Sequence, residues 1–218
     1  MEKIKTGVLS VIHIEQIIRW INRASEKIQT QKEYLTQLDQ EIGDGDHGIN
    51  LSRGFQEVTK KITLKNYQEI GSLFQDISMV LISKVGGASG PLYGTAFMKA
   101  ASICKGKEEL TMDDFANLLE EAVNGLKLRG KAQVGDKTML DVWEPIARFV
   151  REQGETLDWQ QLMETSKKYM ENTKHLQANK GRAAYLGPRS IGHLDPGAVS
   201  SHFLIESLCL TMLESGDE

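Results

Sequence analysis

Three aspartates in one short segment have the spacing of a metal-binding loop. Within residues 39–50, Asp39, Asp44 and Asp46 occupy positions i, i+5 and i+7 among glycines. Two carboxylates about 4 Å apart repel each other by roughly 4 kcal/mol at an effective dielectric constant near 20. A loop that gathers three of them must bind a cation or raise a pKa, and oxygen ligands favour Mg²⁺ or Ca²⁺ over zinc. The alternative is that these aspartates only cap a helix or stabilise a turn, although one aspartate is enough for that.

Three more glycine-rich segments, 86–95, 129–139 and 181–197, each lead into a predicted helix. The first turn of a helix carries N–H groups without partners in the helix, and these suit a phosphate group. Backbone amides near the start of the first segment and the Ser89 hydroxyl could bind phosphate oxygens, although small residues also allow close helix packing. Together with a metal loop, these segments predict a site for a metal-bound di- or triphosphate nucleotide.

Several side chains in these segments have both a functional and a structural interpretation. Arg182 and Arg189 could pair with a phosphate as bidentate donors, or remain solvated on a loop. His47 directly follows the aspartates and could contact a phosphate or a metal-binding carboxylate, or be only structural. Met139 and Leu140 could form an apolar wall for a nucleotide base, or belong to the core. The residue types alone leave these alternatives open.

Common motifs of metal and nucleotide sites are excluded. Counted from Asp44, the twelfth residue is Phe55, where an EF-hand requires a glutamate. The chain has neither a Gly-x-x-x-x-Gly-Lys-Ser/Thr phosphate loop nor the loops of a protein kinase. The two cysteines, Cys104 and Cys209, lack the spacing of a zinc site. We expect them to be buried free thiols of a reducing compartment, although a disulfide is allowed.

The composition is that of an ordinary soluble globular protein. The 218 residues are 40% hydrophobic and 26% charged, with a formal net charge of −4. This charge gives no reason to expect nucleic acid or an anionic membrane surface as a partner. We find no signal sequence and no stretch near the ~18 apolar residues of a membrane span. We therefore expect a cytoplasmic protein.

Apolar residues recur at three- and four-residue spacing through most of the chain and predict helices. The predicted helices cover residues 11–28, 32–38, 46–62, 70–85, 88–105, 111–128, 138–153, 158–176 and a last segment from 196. Pro145 should kink or shift its helix, whereas 181–194 should be irregular. No alternating β-branched run predicts a strand. We expect one all-α domain of about eight mostly antiparallel helices over 11–218, after an N-terminal extension at 1–10.

Four motifs, in this order, resemble the nucleotide-binding L subunits of dihydroxyacetone kinases. They are Asp39-x4-Asp44-Gly-Asp46-His47-Gly48-x-Asn50, Gly86-Gly87-Ala88-Ser89-Gly90-Pro91-Leu92-Tyr93-Gly94, Gly181-Arg182-Ala183-x-Tyr185-Leu186-Gly187 and Asp195-Pro196-Gly197. The resemblance implies a closed barrel of eight antiparallel helices with ADP or ATP bound at one end through two Mg²⁺ ions. It implies that the metals are bound by Asp39, Asp44 and Asp46. It also implies that the nucleotide is lined by His47, Gly48, Asn50, Ala88, Ser89, Gly130, Met139, Arg182, Asp195, Pro196 and Gly197.

Members of this family work in two ways, either as one longer ATP-dependent chain or as separate subunits. Because this chain has room only for the nucleotide domain, the resemblance favours the second way. ADP would then be a coenzyme that a phosphohistidine-carrying M subunit of the phosphotransferase system rephosphorylates, and the phosphoryl group would pass to dihydroxyacetone on a K subunit. No catalytic side chain is required, and Arg182 is a candidate phosphate stabiliser. Alternatives are an ATP-dependent module for another substrate, as in fatty-acid kinases, and a nucleotide-state sensor that binds a transcription regulator.

Overall fold

The computed structural model describes residues 11–215, which form an almost entirely helical fold. The predicted extension at 1–10 lies outside the described residues. The helices are α1 Ile14–Thr30, α2 Lys32–Ile42, α3 His47–Thr63, α4 Ile70–Lys84, α5 Ser89–Ile103, α6 Met112–Gly130, α7 Leu140–Gln153, α8 Trp159–Asn172 and α9 Pro196–Ser215. Short 3-10 helices cover Gly154–Thr156, Thr173–His175 and Arg182–Ser190. The predicted all-α class is confirmed.

Two helices begin at side chains that cap them. Thr111 accepts the N–H of Asp114 at 3.1 Å, and the Asp114 carboxylate accepts the N–H of Thr111 at 3.2 Å. Asp158 caps α8 by accepting the N–H of Gln161 at 3.0 Å. Each cap satisfies a donor that has no partner inside the helix. The caps therefore mark where α6 and α8 begin.

A two-stranded sheet corrects the prediction that the chain forms no strand. Strand β1, Val11–His13, pairs in antiparallel register with β2, Glu109–Thr111, and Ile12 lies opposite Leu110. Both of these central residues are buried, so the first predicted helix begins only at Ile14. Strands of three residues are too short to show the alternation by which a strand is recognised in a sequence.

The predicted helix over 158–176 also ends early, at Asn172. The chain then turns so that the backbone carbonyls of Thr173 and Leu176 accept hydrogen bonds from the Lys137 ammonium, at 2.8 and 3.1 Å. These two carbonyls bond to a side chain from another segment instead of to N–H groups further along a helix. The regular hydrogen-bond pattern of α8 therefore stops here. In contrast, α7 continues through Pro145.

Neighbouring helices pack in a series that starts and finishes at α1. Contacts join α1 to α3, α3 to α4, α4 to α5, α5 to α6, α6 to α7, α7 to α8, α8 to α9 and α9 to α1, and α2 packs on α3 and α9. Trp20, Phe74 and Phe97 form an aromatic cluster in the core, with ring centroids 5.7–6.4 Å apart. The closed barrel itself stays a prediction. Among residues 11–215, no helix combines the length and the apolar content that a bilayer crossing requires.

Candidate functional site

The N-terminal ends of α3, α5, α7 and α9 border one cavity of about 850 Å³, a size typical of small-molecule sites. Twelve of the fourteen residues expected to bind metal or nucleotide line this cavity. They are Asp39, Asp44, Asp46, His47, Ala88, Ser89, Gly130, Met139, Arg182, Asp195, Pro196 and Gly197. Four segments that are far apart in the sequence therefore meet at one place, as the glycine-rich loops predicted.

The acidic loop, which we define as residues 39–47, brings its three aspartate carboxylates together. Asp39, Asp44 and Asp46 each offer an oxygen that lies within 4.8 Å of the other two. Burial raises the pKa of Asp46, and the charges of Asp44 and Asp39 raise it further. A divalent cation among these oxygens would offset the repulsion, and the set of carboxylate donors fits Mg²⁺. The residues present therefore suit a hard metal ion.

Asp39 also has the structural role that the capping alternative foresaw. Its Oδ2 accepts the N–H groups of Asp46 and His47, at 2.9 and 3.1 Å, at the start of α3. A Cβ at position 43 would lie 2.1 Å from Asp39 Oδ1, so Gly43 leaves the space that this carboxylate occupies. Because a carboxylate has about four lone-pair sites, capping and metal binding can coexist at Asp39.

His47, the last residue of the acidic loop, is buried and contacts both α5 and α9. Its Nδ1 lies 2.9 Å from Ser89 Oγ and its Nε2 lies 3.0 Å from Ser200 Oγ. Burial lowers the pKa of His47 to about 4, so the ring is neutral near pH 7. Both ring nitrogens already face hydroxyl groups, which makes His47 a support for Ser89 rather than a cationic phosphate ligand.

The two candidate arginines lie in the 3-10 segment Arg182–Ser190 but differ in their relation to the cavity. Arg182 lines the rim, and its Nε lies 2.8 Å from Asp44 Oδ2. Arg189 is exposed and does not line the cavity. The phosphate-pairing interpretation therefore favours Arg182, which combines proximity to the acidic loop with access from solvent.

Part of the cavity lining is apolar. Its lining residues include Leu92, Leu126, Gly130, Met139 and Leu140. Met139 and Leu140 are also buried, so the two interpretations given for them hold together: they belong to the core and form the wall. A lining that combines carboxylates and an arginine with apolar side chains matches a ligand that carries both phosphates and an apolar group.

Asp195 caps the N-terminal end of α9. Its Oδ2 accepts the N–H of Ala198 at 2.7 Å, and its own N–H donates to Thr173 Oγ1 at 3.2 Å. Burial raises the pKa of Asp195 to about 7, and the neighbouring charge of Asp141 acts in the same direction. With this pKa, the Asp195 carboxyl changes its charge near neutral pH, unlike an ordinary aspartate.

Gly48 and Asn50 lie behind the cavity wall instead of lining it. A Cβ at position 48 would lie 2.1 Å from the backbone oxygen of Lys32, so this glycine lets α3 pack closely against α2. The Asn50 amide interacts with the Asp46 carboxylate and lowers its pKa, which opposes the effect of burial, and Asn50 Oδ1 accepts from Arg53 at 2.9 Å. Asn50 therefore orients an acidic residue. Direct nucleotide contacts of either residue stay a prediction.

Sequence analysis assigned residues 129–139 to the site but did not reveal the roles of Lys137 and Asp141 in what we call the lysine loop, defined as residues 131–141. Lys137 lines the cavity but is only 1% exposed, and its ammonium donates to three backbone carbonyls, those of Thr173, Leu176 and His193. Asp141 accepts the N–H groups of Gly135 and Thr138, at 2.6 and 2.7 Å. A lysine between an aspartate and a threonine looks solvated in a sequence, and no local pattern signals that it is buried.

Comparisons of the sequence and of the structure with known proteins point to the same family. A family profile of the DAK2 domain matches residues 41–210. The chain is 43% identical over 204 residues to a protein of Escherichia coli K12 named PEP-dependent dihydroxyacetone kinase, ADP-binding subunit DhaL, covering 91% of this chain and 97% of that protein. It is 44% identical over 194 residues to PEP-dependent dihydroxyacetone kinase 1, ADP-binding subunit DhaL, of Listeria innocua, covering 89% and 94%. The crystal structure of the dihydroxyacetone kinase from C. freundii in complex with AMP-PNP and Mg²⁺ has the same fold, with a TM-score of 0.70 and 20% identity. That match covers 96% of this chain and 36% of the longer kinase.

Proposed function

Because the chain belongs to the DAK2-domain family, we propose that it is the ADP-binding subunit of a PEP-dependent dihydroxyacetone kinase. One observation carries the proposal: three clustered carboxylates share an 850 Å³ cavity with the N-terminal ends of α5 and α9. This is the arrangement that a metal-bound nucleoside diphosphate requires. The similarity to two proteins named as ADP-binding subunits supports the same function.

In this proposal, Asp39, Asp44 and Asp46 hold two Mg²⁺ ions. When bound, such ions neutralise and orient phosphate oxygens, which is most of what phosphoryl transfer requires. The N–H groups at the start of α5, together with the Ser89 hydroxyl, donate to the phosphates. Arg182 approaches from the rim as an additional donor. No side chain of this chain needs to act as a nucleophile.

The remaining residues of the cavity fix the other parts of the nucleotide. Met139, Leu140 and Leu92 would pack against the base, and Gly130 leaves room beside them because a Cβ there would already lie 3.3 Å from Leu92. Pro196 and Gly197 at the start of α9 would border the sugar and phosphates. The buried side chains of Met139 and Leu140 exclude water from part of the cavity, which strengthens the electrostatic contacts of the bound ligand.

We place the subunit in a cytoplasmic transfer cycle with two partners. An M subunit of the phosphotransferase system would phosphorylate the bound ADP, and a K subunit would present dihydroxyacetone to the resulting γ-phosphoryl group. Asp44 and Arg182 are exposed at the rim, so a partner can reach the phosphate end of the cavity. In the alternative role, a transcription regulator would bind at this rim and sense whether the cavity holds a nucleotide. A pull-down with and without ADP tests that second use of the surface.

Native mass spectrometry and reconstitution test the main proposal. We expect the purified chain to carry one ADP with two Mg²⁺ ions, and chelation of the metal to release both. Dihydroxyacetone phosphate should form from phosphoenolpyruvate only when the general phosphotransferase components and the K and M subunits of the same organism are all present. Turnover of ATP and dihydroxyacetone by this chain alone would contradict the proposal.

A further inference from the structure

Within the part of the chain that the structure describes, the lysine and arginine side chains that line the cavity differ in how their charges are used. They are Arg129, Lys137, Lys180 and Arg182. The Lys137 ammonium is saturated by three backbone carbonyls, and Arg182 pairs with Asp44. Arg129 lies in the last turn of α6, where a positive charge offsets the partial negative charge of the helix end. Lys180 is therefore the cation whose charge the fold leaves uncommitted.

Lys180 is half-buried on a segment that the protein fixes through its backbone. The N–H of Ala178 donates to Ser190 Oγ at 2.9 Å, and the N–H of Asn179 donates to the Asp136 carbonyl at 3.1 Å. Neither bond uses the Lys180 side chain, and among residues 11–215 its ammonium has no hydrogen-bond partner and no ion pair. Partial burial of a charge without a partner costs free energy, which a bound anion would offset.

A sharp turn at Gly181 brings Lys180 and Arg182 to the same cavity. Gly181 has a φ of +66°, in the left-handed region, and an added Cβ would meet no atom within 4 Å. The backbone conformation, and not a lack of space, therefore favours glycine here. Both flanking side chains line the cavity, and Arg182 Nε lies 2.8 Å from Asp44 Oδ2. Lys180 thus belongs to the part of the rim that pairs with the acidic loop.

A nucleotide that gains a phosphoryl group at this rim needs positive charge from the protein. The three aspartate carboxylates offset most of the charge of two divalent ions, so the metals leave little for a further phosphate. During transfer, the charge is spread over the outer oxygens of the phosphoryl group, and positioned cations stabilise it. The charge of Arg182 is already partly neutralised by Asp44. A lysine on a flexible stem can follow the phosphoryl group as it arrives and leaves.

We propose that Lys180 binds the terminal phosphoryl group of the nucleotide and thereby makes the site favour the triphosphate over the diphosphate. The inference rests on the proposed function, because it takes the ligand of the cavity to be a metal-bound nucleotide. It gives the two cations of the segment different roles. Arg182 is held beside the acidic loop in either state, whereas Lys180 gains its partner only when the third phosphate is present.

Calorimetric titration of the full chain, freed of nucleotide, with Mg-ADP and with the non-hydrolysable Mg-AMP-PNP tests this assignment. Lys180→Gln should weaken binding of Mg-AMP-PNP ~10-fold, which corresponds to one charge-assisted hydrogen bond, and should change binding of Mg-ADP less than ~2-fold. Lys180→Arg keeps the charge and should lose no more than ~3-fold for Mg-AMP-PNP. Lys174→Gln is the matched control, because Lys174 is exposed on the preceding 3-10 helix and does not line the cavity.

The outcomes separate this assignment from the proposed function. If wild-type protein binds Mg-ADP but Lys180→Gln weakens both nucleotides equally, or neither, the assignment of Lys180 is wrong and the proposed function stands. The assignment is also wrong if Lys174→Gln reproduces the selective loss, because net charge would then explain it. If wild-type protein binds neither nucleotide, the proposed function is wrong and the assignment falls with it.

Urea denaturation of the same proteins without ligand separates binding from a structural role. We expect Lys180→Gln to unfold at the wild-type urea concentration, because within residues 11–215 its side chain has no partner to lose. A midpoint well below that of both wild type and Lys174→Gln would show that Lys180 stabilises the fold, and this too would overturn the assignment.

Discussion

The acidic loop and the lysine loop border the same cavity, but the protein stabilises their charged groups to very different extents. The acidic loop gathers three aspartates, and within residues 11–215 their only ion pair is with the exposed Arg182. The lysine loop buries a single ammonium and satisfies it with three backbone carbonyls. An ion that is saturated by the protein has no capacity for a ligand, whereas clustered carboxylates require one.

The comparison separates residues that stabilise the site from residues that bind in it. Lys137 joins the lysine loop to the turn after α8 and to the segment before α9, so its bonds hold two walls of the cavity together. The aspartates act in the opposite sense, because their repulsion costs stability until a cation arrives. We therefore expect substitutions in the two loops to affect stability and binding differently.

The largest expected effect is the loss of stability in Lys137→Met. The substitution keeps a long apolar stem but leaves three buried carbonyls without their donor, which should lower the free energy of unfolding by about 3 kcal/mol. Urea denaturation without ligand measures it. Lys60→Met is the control, because Lys60 is exposed and pairs with Glu57 on the surface, so its loss should stay below about 0.5 kcal/mol. Equal losses would show that the buried ammonium has no special role.

A smaller change, in binding rather than stability, is expected for Asp44→Asn. Removing one of three carboxylates should weaken binding of Mg-ADP at least ~10-fold, while the metal-free protein should unfold no more easily than wild type because repulsion is relieved. Titration calorimetry and thermal unfolding with and without Mg²⁺ measure the two effects. Asp113→Asn removes the same charge far from the cavity, at the start of α6, and should bind normally. Wild-type affinity in Asp44→Asn would contradict the metal assignment.

These two loops also show what a sequence can reveal. The acidic loop was predictable because its signal is local: its aspartates and glycines are neighbours in the chain, so their spacing can be read directly. The position of the lysine loop at the site was predicted as well, but the burial of Lys137 was not, because its partners are carbonyls at 173, 176 and 193, and any residue can supply a carbonyl. A buried charge satisfied by distant backbone leaves no trace in the residue types.

The same limit applies to the fold. Helices with several turns of periodic apolar residues were predicted within a few positions, whereas the three-residue strand Val11–His13 was predicted as helix because its pairing with 109–111 is a long-range event. Gly48 illustrates the limit within a motif. A glycine that admits a neighbouring helix looks the same in sequence as a glycine that admits a ligand, and only the contact with Lys32 distinguishes the two.

Asp195 lies between the two loops, and its expected effect on pH dependence is smaller still. Its pKa of about 7 in the folded protein exceeds its ordinary value of 3.8, so the native state binds more protons and this group's contribution to stability falls as pH rises from 4 to 7. Asp195→Asn removes that decrease. Relative to wild type, the variant should gain about 1 kcal/mol over this range. This is well below the ~4 kcal/mol that the full pKa difference would give, because the Asp195 side chain is only partly buried and solvent screens its charge.

Urea denaturation of both proteins at several pH values measures this difference. The comparison with wild type is needed because His47 acts in the opposite direction. With a folded pKa of about 4, its neutral form favours the native state increasingly as pH rises from 4 to 6.5. Subtracting the two curves cancels the shared histidine contribution and leaves that of Asp195. A constant difference across the range would show that Asp195 is already ionised at pH 4.

The smallest effect on stability is expected at Arg182, the arginine that pairs with the acidic loop. Arg182→Gln should change the free energy of unfolding by less than about 0.5 kcal/mol, because the ion pair with Asp44 is exposed. It should nevertheless slow phosphoryl transfer in the reconstituted system, since the guanidinium stands beside the metal-binding carboxylates. Arg189→Gln changes the same charge on the same 3-10 segment, away from the cavity, and should leave both quantities unchanged. If the two variants slow transfer equally, general surface charge explains the effect. If only Arg182→Gln does, the rim of the acidic loop takes part in the transfer.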